Sequence, residues 1–191
     1  TTDGGLNWNI QTHYQRNTFA EIKFVDDLNG FSFSPHGYIG DDVQFIYTND
    51  GGISWDKANV YLSNALTFQP ISTSMLLKSV DDGTIMKLDN FYGDWMETFR
   101  VPYFFDEDLM VPYGFINQFQ KFDDGKILAL GSSWPARDHF IISDSVSYIL
   151  RSFDNGTTWD TLWCDLTIAA NTFFFVDSLT GWFGGEKNYL Y

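Results

Sequence analysis

Ser152-Phe153-Asp154-Asn155-Gly156-Thr157-Thr158-Trp159 is the stretch whose reading decides the fold. Its chemistry is that of a tight turn. An Asp side chain accepts hydrogen bonds from backbone N–H groups two or three residues on. A Gly supplies the positive-φ position that other residues reach only with strain. A Trp then lays a large apolar face over the turn. Tyr148-Ile149-Leu150 stands before the octapeptide, so the turn joins two strands.

The pattern Ser/Thr-x-Asp-x-Gly-x-x-Trp occurs twice more, as Thr1-Thr2-Asp3-Gly4-Gly5-Leu6-Asn7-Trp8 and as Thr48-Asn49-Asp50-Gly51-Gly52-Ile53-Ser54-Trp55. A second phrase also recurs. Phe24-Val25-Asp26-Asp27-Leu28-Asn29-Gly30-Phe31 and Phe175-Val176-Asp177-Ser178-Leu179-Thr180-Gly181-Trp182 agree at five of eight positions. It reads as strand, polar turn, strand. Internal repetition of this kind is the signature of stacked supersecondary units.

These residues resemble the Asp-box, or BNR, repeat of β-propellers. That repeat is found in sialidases, sortilin-type receptors, xyloglucanases and the propellers that assist photosystem II assembly. The phrase Phe-Val-Asp-x-x-x-Gly-Phe/Trp, followed by a box, is most similar to the last group and to its secreted bacterial relatives. The resemblance covers nearly the whole chain as a blade pattern. It implies an all-β propeller of four-stranded antiparallel blades, a fold that hosts many activities. It also implies that Asp3, Gly5, Trp8, Asp50, Gly52, Trp55, Asp154, Gly156 and Trp159 are structural, holding turns at the outer side of their blades.

The spacing of the box aspartates sets the blade arithmetic. The gaps Asp3–Asp50 and Asp50–Asp154 are 47 and 104 residues. The longer one fits two blades, so a degenerate box is expected between them. Asp89-Asn90-Phe91-Tyr92-Gly93-Asp94-Trp95 keeps the Asp, Gly and Trp at altered spacing. The chain ends on Asn188-Tyr189-Leu190-Tyr191, where the repeat would place a box next, and it begins with one. Four blades' worth of sequence follow. Their approximate units are 19–62, 65–100, 113–168, and 170–191 completed by 1–14, a blade split between the termini of a single 1–191 domain. A closed four-bladed ring and an arc of a larger one both fit this count. A split blade leaves strand edges for another copy to pair with.

Composition narrows the partners. The 191 residues carry 11 Lys+Arg against 25 Asp+Glu, a formal charge of -14. That balance argues against nucleic acid and anionic membranes, which want clustered cations. No apolar run reaches the length of a membrane span, so no membrane insertion is expected. Cys164 is the single cysteine, which excludes an intrachain disulfide and a thiolate metal cluster. His13, His36 and His139 are scattered. No metal and no cofactor is expected. Low Lys with abundant Asn, Ser, Thr, Trp and Tyr reads as a secreted or envelope protein. The start at Thr1, without a basic-then-apolar leader, reads as a mature form or a fragment.

Two classes of function remain. Phe99-Arg100-Val101-Pro102 resembles the Phe/Tyr-Arg-Ile-Pro motif of sialidases, whose Arg grips a substrate carboxylate in bidentate fashion. By that resemblance Arg100 and Arg137 would bind carboxylate and Asp138 would act as the acid. The third Arg and the Tyr/Glu pair that sialidases draw from later blades have no counterpart here. Paired acids such as Asp106, Glu107 and Asp108, or Asp41 and Asp42, offer a general glycosidase reading. The other class is non-catalytic. Tyr103, Phe104, Tyr113 and Trp134 sit in or near Pro-punctuated irregular segments, where aromatics stack on a glycan or anchor a protein. The leading expectation is a non-catalytic interaction or scaffold propeller. Its partner would be a protein or a second copy, assembling to an oligomer or filament, with glycan binding as a further option.

Overall fold

A computed structural model describes residues 1, 3–10, 19–34, 45–58, 60, 62, 64–80, 82–101, 113–134, 146–165 and 170–185, with Tyr113, Ser133, Trp134, Val146 and 163–165 described by backbone alone. The described residues are all strand, turn and irregular chain. None of their segments is a helix long and apolar enough to cross a membrane. The chain divides into two compact units, Thr1–Ser63 and Asn64–Tyr191.

The first unit holds one four-stranded meander in the order β1-β2-β3-β4: β1 (Glu21–Phe24), β2 (Gly30–Phe33), β3 (Phe45–Thr48) and β4 (Asp56–Lys57). The second unit holds three sheets. Strands β5 (Ala65–Pro70), β6 (Leu76–Val80), β7 (Thr84–Leu88) and β8 (Met96–Arg100) make one meander. Strands β9 (Tyr113–Lys121), β10 (Ile127–Trp134), β11 (Val146–Ser152) and β12 (Asp160–Asp165) make another. The fourth sheet pairs β13 (Ala170–Phe175) with β14 (Gly181–Gly185), and has two strands among the described residues. All pairings are antiparallel. The all-β class and the four antiparallel sheets agree with the sequence reading.

One turn recurs at the first hairpin of every sheet. Val25, Ile71, Phe122 and Val176 each donate their N–H to the carbonyl four residues on, at Asn29, Met75, Lys126 and Thr180, over 2.8–3.0 Å. A polar side chain within the turn accepts from its backbone: the residue just after the donor in three of the turns, and Asp124, two after Phe122, in the third sheet. Asp26 Oδ1 accepts from the N–H groups of Leu28 and Asn29, and Asp177 Oδ1 from those of Leu179 and Thr180. In the second sheet Ser72 Oγ plays that part for Ser74 and Met75. This turn fixes the register that makes residues of the four sheets comparable. Gly30 and Gly181 hold equivalent places across the hairpin from Phe24 and Phe175. The Phe ring lies over the glycine, so a Cβ on Gly30 would stand 2.7 Å from the Phe24 ring.

Strands with both faces covered lose the polar–apolar alternation. Ile127, Leu128, Ala129 and Leu130 of β10 are all fully buried. The reason is that the third sheet is sandwiched. One core joins Leu77 and Ile85 of the second sheet to Phe119, Ile127, Ala129 and Leu150 of the third. A second core joins Leu128, Leu130 and Ile149 of the third to Ala170 and Phe173 of the fourth.

Candidate interaction surface

The three octapeptides have one hydrogen-bonding plan. The leading hydroxyl of Thr1, Thr48 or Ser152 donates to Oδ1 of Asp3, Asp50 or Asp154 at 2.6–2.8 Å. The same hydroxyl oxygen accepts from the N–H of Gly5, Gly52 or Gly156. The carboxylate also accepts from the N–H of Asn7, Ser54 or Thr158, four residues on. The Trp indole N–H of Trp8, Trp55 or Trp159 then donates to the glycine carbonyl at 2.9–3.2 Å. Gly5, Gly52 and Gly156 take φ of +94°, +86° and +78°. The glycine at the fifth position thus takes the positive φ of the turn without a strained L-residue there.

These bonds hold all three carboxyls near a pKa of about 2. For Asp3 the first cause is the Thr1 hydroxyl, then Asn7. For Asp50 it is the Ser54 hydroxyl, then its N–H. For Asp154 burial pushes upward, and the bonds from Thr158, Ser152 and Thr157 outweigh it. Hydrogen bonding to the charged form explains all three. The aspartates are therefore turn acceptors with their oxygens occupied.

The third box also locks one sheet to the next. Lys87 Nζ of β7 donates to Thr157 Oγ1 at 2.7 Å. Trp159 Nε1 also reaches Thr98 Oγ1 of β8 at 3.3 Å, and the indole lies 6.2 Å from the Phe119 ring. Gly156 packs against Leu77. In the first unit, Trp55 instead meets Phe24 edge-on at 6.2 Å. Trp8 is 77% exposed, with Leu6 and Ile10 exposed beside it in sequence. Residues 89–95 join β7 to β8, the place of a box in its sheet. There Asn90 Oδ1 accepts from the N–H of Tyr92, while Asp89 pairs with Lys87 at 3.1 Å.

Arg100 ends β8 with its guanidinium spread over two carboxylates. Nε and Nη2 grip Glu97 at 3.2 and 2.7 Å, and Nη1 meets Asp82 at 2.7 Å. Arg100 holds the Glu97 carboxyl below its usual range; at Asp82 burial acts upward, and bonds from Thr84 and Arg100 outweigh it. A carboxylate ligand at Arg100 would have to displace these partners. Arg137, Asp138, Tyr103 and Phe104 lie outside the described residues, as do Asp41, Asp42 and 106–108. Tyr113 and Trp134 are Cα partners at the end of the β9–β10 pairing. Among the described residues no three His, Cys, Asp or Glu come together as a metal site.

The shared turn register assigns each inner hairpin two faces. One face, here called leading, carries Phe119, Ile127 and Ala129 on β9–β10, and Phe173, Phe175 and Phe183 on β13–β14. The other, trailing face carries Gln69 and Leu77 on β5–β6, and Gln118, Gln120, Leu128 and Leu130 on β9–β10. In the second unit, trailing packs on leading twice, once in each core. Side-chain amides reinforce the second junction. Gln118 donates to the carbonyl of Phe173 and accepts its N–H, at 2.8 and 3.1 Å. Gln120 does the same for Phe175, at 2.7 and 3.0 Å. Two glutamines thus act as a surrogate strand for the edge of β13. Lys126 Nζ adds a bond to the carbonyl of Ser178. Sequence reading missed these glutamines; Gln118-Phe119-Gln120 on one alternating face is the signal that could have found them.

Among the described residues, one sheet face in each unit exposes large apolar side chains. The trailing face of β13–β14 presents Phe174, 61% exposed, and its cross-strand partner Trp182, 43% exposed. Val176 and Leu179, at the hairpin turn, are exposed too. The leading face of β1–β2 presents Ile22, 62% exposed, and Phe24, 44% exposed. Large apolar side chains grouped on an exposed sheet face are a feature of interaction surfaces.

Solved structures of similar fold include a GH74 xyloglucanase from Xanthomonas campestris, with a TM-score of 0.54 and 14% identity. That match covers 87% of this chain and 27% of the xyloglucanase, so the chain spans about a quarter of that enzyme's length. YCF48 bound to a D1 peptide matches at a TM-score of 0.42 and 13% identity, over 98% of this chain and 83% of YCF48. YCF48 from Cyanidioschyzon merolae matches at 0.44 and 13%, over 96% and 84%. No protein-family model and no curated protein matches the chain. At 14% identity the likeness to the xyloglucanase shows a fold alone, that of a β-propeller.

Proposed function

We propose that this chain is a non-catalytic interaction and scaffold module of the Asp-box propeller class, secreted or envelope-associated. The observation that carries the reading is the sheet face of β13–β14, where Phe174 and Trp182 stand side by side, 61% and 43% exposed. Large aromatics with few rotatable bonds are the side chains that contribute most at protein interfaces. They are displayed here on paired strands backed by a buried core, so binding needs little ordering of the surface. The sialidase-like reading rests on Arg100 together with Arg137 and Asp138, and the Arg100 guanidinium already serves Glu97 and Asp82. The composition supports the compartment.

The test is paired. The chain is assayed for reducing-sugar release from xyloglucan and for sialic acid release from sialyllactose. Its mass is followed by light scattering across protein concentration. Association without turnover is the expected result. Turnover that disappears in Arg100→Ala would overturn the reading in favour of an enzyme.

A further inference from the structure

We infer that the trailing face of β13–β14 is the seat for the leading face of β1–β2 from a second copy of this chain, giving a head-to-tail contact. The inference rests on the interaction reading above and names its partner. The interface it needs is already built twice within the second unit. There a trailing face, Leu77 in one case and Leu128 with Leu130 in the other, takes up Phe119 or Phe173 from the leading face of the next hairpin. The turn register places Ile22 where Phe119 and Phe173 stand, and Phe24 where Phe175 stands. It places Trp182 where Leu77 and Leu128 stand, and Phe174 where Gln120 stands. The donor and the acceptor of a third junction of the same kind are therefore both present, and both are exposed.

The chemistry of this junction differs from the second one in a way that suits separate chains. Gln120 anchors β13 through the Phe175 backbone, whereas its counterpart Phe174 offers only apolar contact. The new junction is apolar on both sides, with Ile22 and Phe24 facing Phe174 and Trp182. Such a contact is heterologous: each copy keeps one free leading and one free trailing face, so assembly continues unless a rotation closes it. The formal charge of -14 opposes the approach of two copies, so salt strengthens the contact.

The experiment is a complementation. Trp182→Glu spoils the trailing face and leaves the leading one; Ile22→Lys does the converse. Both positions are exposed, and circular dichroism with urea melts confirms that each variant folds. The wild type is expected to grow with concentration by light scattering. Each variant alone is expected to lose association by about 30-fold or more, the scale of an interface hot spot. An equimolar mixture is expected to restore one contact and stop at a 1:1 pair. A wild type that stays monomeric at every concentration would overturn the inference, since its own β1–β2 or another cover would then serve the face. Growth that persists in both variants, or a mixture that stays monomeric, would also overturn it. Persistent growth would leave the interaction reading standing, whereas turnover on a glycan would remove that reading itself.

Discussion

Replacing Gly156 by Ala separates the two demands that the third box makes on one residue. The first is backbone conformation. Gly156 sits at φ +78°, and an L-residue there costs about 1–2 kcal/mol. Stiffening the unfolded chain returns about 0.4–1 kcal/mol of that. The second demand is space. A Cβ would lie 2.7 Å from both methyl groups of Leu77, which is fully buried and has no room to swing away. Forcing a methyl into such a packed site costs about 1–3 kcal/mol. Gly156→Ala should therefore destabilise the second unit by about 2–3 kcal/mol.

Gly125→Ala supplies the control. Gly125 has φ +84° with nothing within 4 Å of the added Cβ, so it carries the backbone cost alone. Its expected cost is about 1 kcal/mol. Urea unfolding followed by tryptophan fluorescence reads the difference, which is about 0.5–1 M in midpoint at an m-value of about 2 kcal/mol/M. In a Leu77→Ala background, Gly156→Ala should fall to the cost of Gly125→Ala, a coupling of about 1–2 kcal/mol. Equal costs for the two glycines in the wild-type background, or no coupling to Leu77, would refute the claim that the box presses on the preceding sheet.

Three further outcomes are expected. The box carboxyls titrate near 2 when folded and about 3.9 when unfolded, so their stabilisation is complete above pH 4 and is lost as pH falls from about 4 to about 2; Asp154→Asn should start less stable at pH 5 and lose less stability by pH 2.5 in urea melts, and a parallel loss would refute this. Gln120→Leu strips Phe175 of partners for both its N–H and its carbonyl, at a cost of about 1–3 kcal/mol; hydrogen exchange at the Phe175 amide should accelerate while the β9–β10 ladder stays protected. Arg100→Ala removes partly exposed ion pairs, so the urea midpoint should reflect less than about 1 kcal/mol.

The sequence made the boxes legible because each needs four identities at fixed spacing, and chance rarely supplies them. It also made the Phe24 and Phe175 hairpins legible, because Gly30 and Gly181 must lack a Cβ under a Phe ring. The equivalent turn after Ile71 was hidden. It needs only an oxygen acceptor after the donor and a carbonyl four residues on, and Ser72 satisfies that as well as Asp does. The stretch 89–95 joins β7 to β8, where Asn90 accepts from the turn and Asp89 pairs with Lys87, without the hydrogen-bonding plan of the three octapeptides. The role of Arg100 was not legible, because its two carboxylates come from a neighbouring turn and from three residues back. The Gln118 and Gln120 pairing joins residues 55 positions apart; the alternation of Gln118-Phe119-Gln120 marks the two amides, and nothing local marks Phe173 and Phe175 as their partners.

On the proposed reading, the position occupied by Phe174 would let one repeat carry both structure and association. Its counterparts are Lys23, Gln69 and Gln120. Each of those bears a polar group, and Gln120 spends its amide on the following backbone. Gln69 bonds the Pro70 carbonyl of its own strand, whereas the Gln120 amide commits its face to one registered neighbour, because an amide left unpaired in a buried junction costs about 1–3 kcal/mol. Phe174 demands no such partner, and with Trp182 beside it the face gains from any well-fitting apolar cover. A face of that kind is costly to leave in water and free of a register requirement, which is what a surface that must leave and rejoin a partner needs. A Phe174→Gln substitution therefore separates the alternatives. If the face seats the β1–β2 hairpin of a second copy in the register of the other junctions, the amide recovers the backbone pairing seen at Gln120, and light scattering finds association kept or strengthened. If the cover has another register, the buried amide stays unpaired and association falls by about tenfold or more.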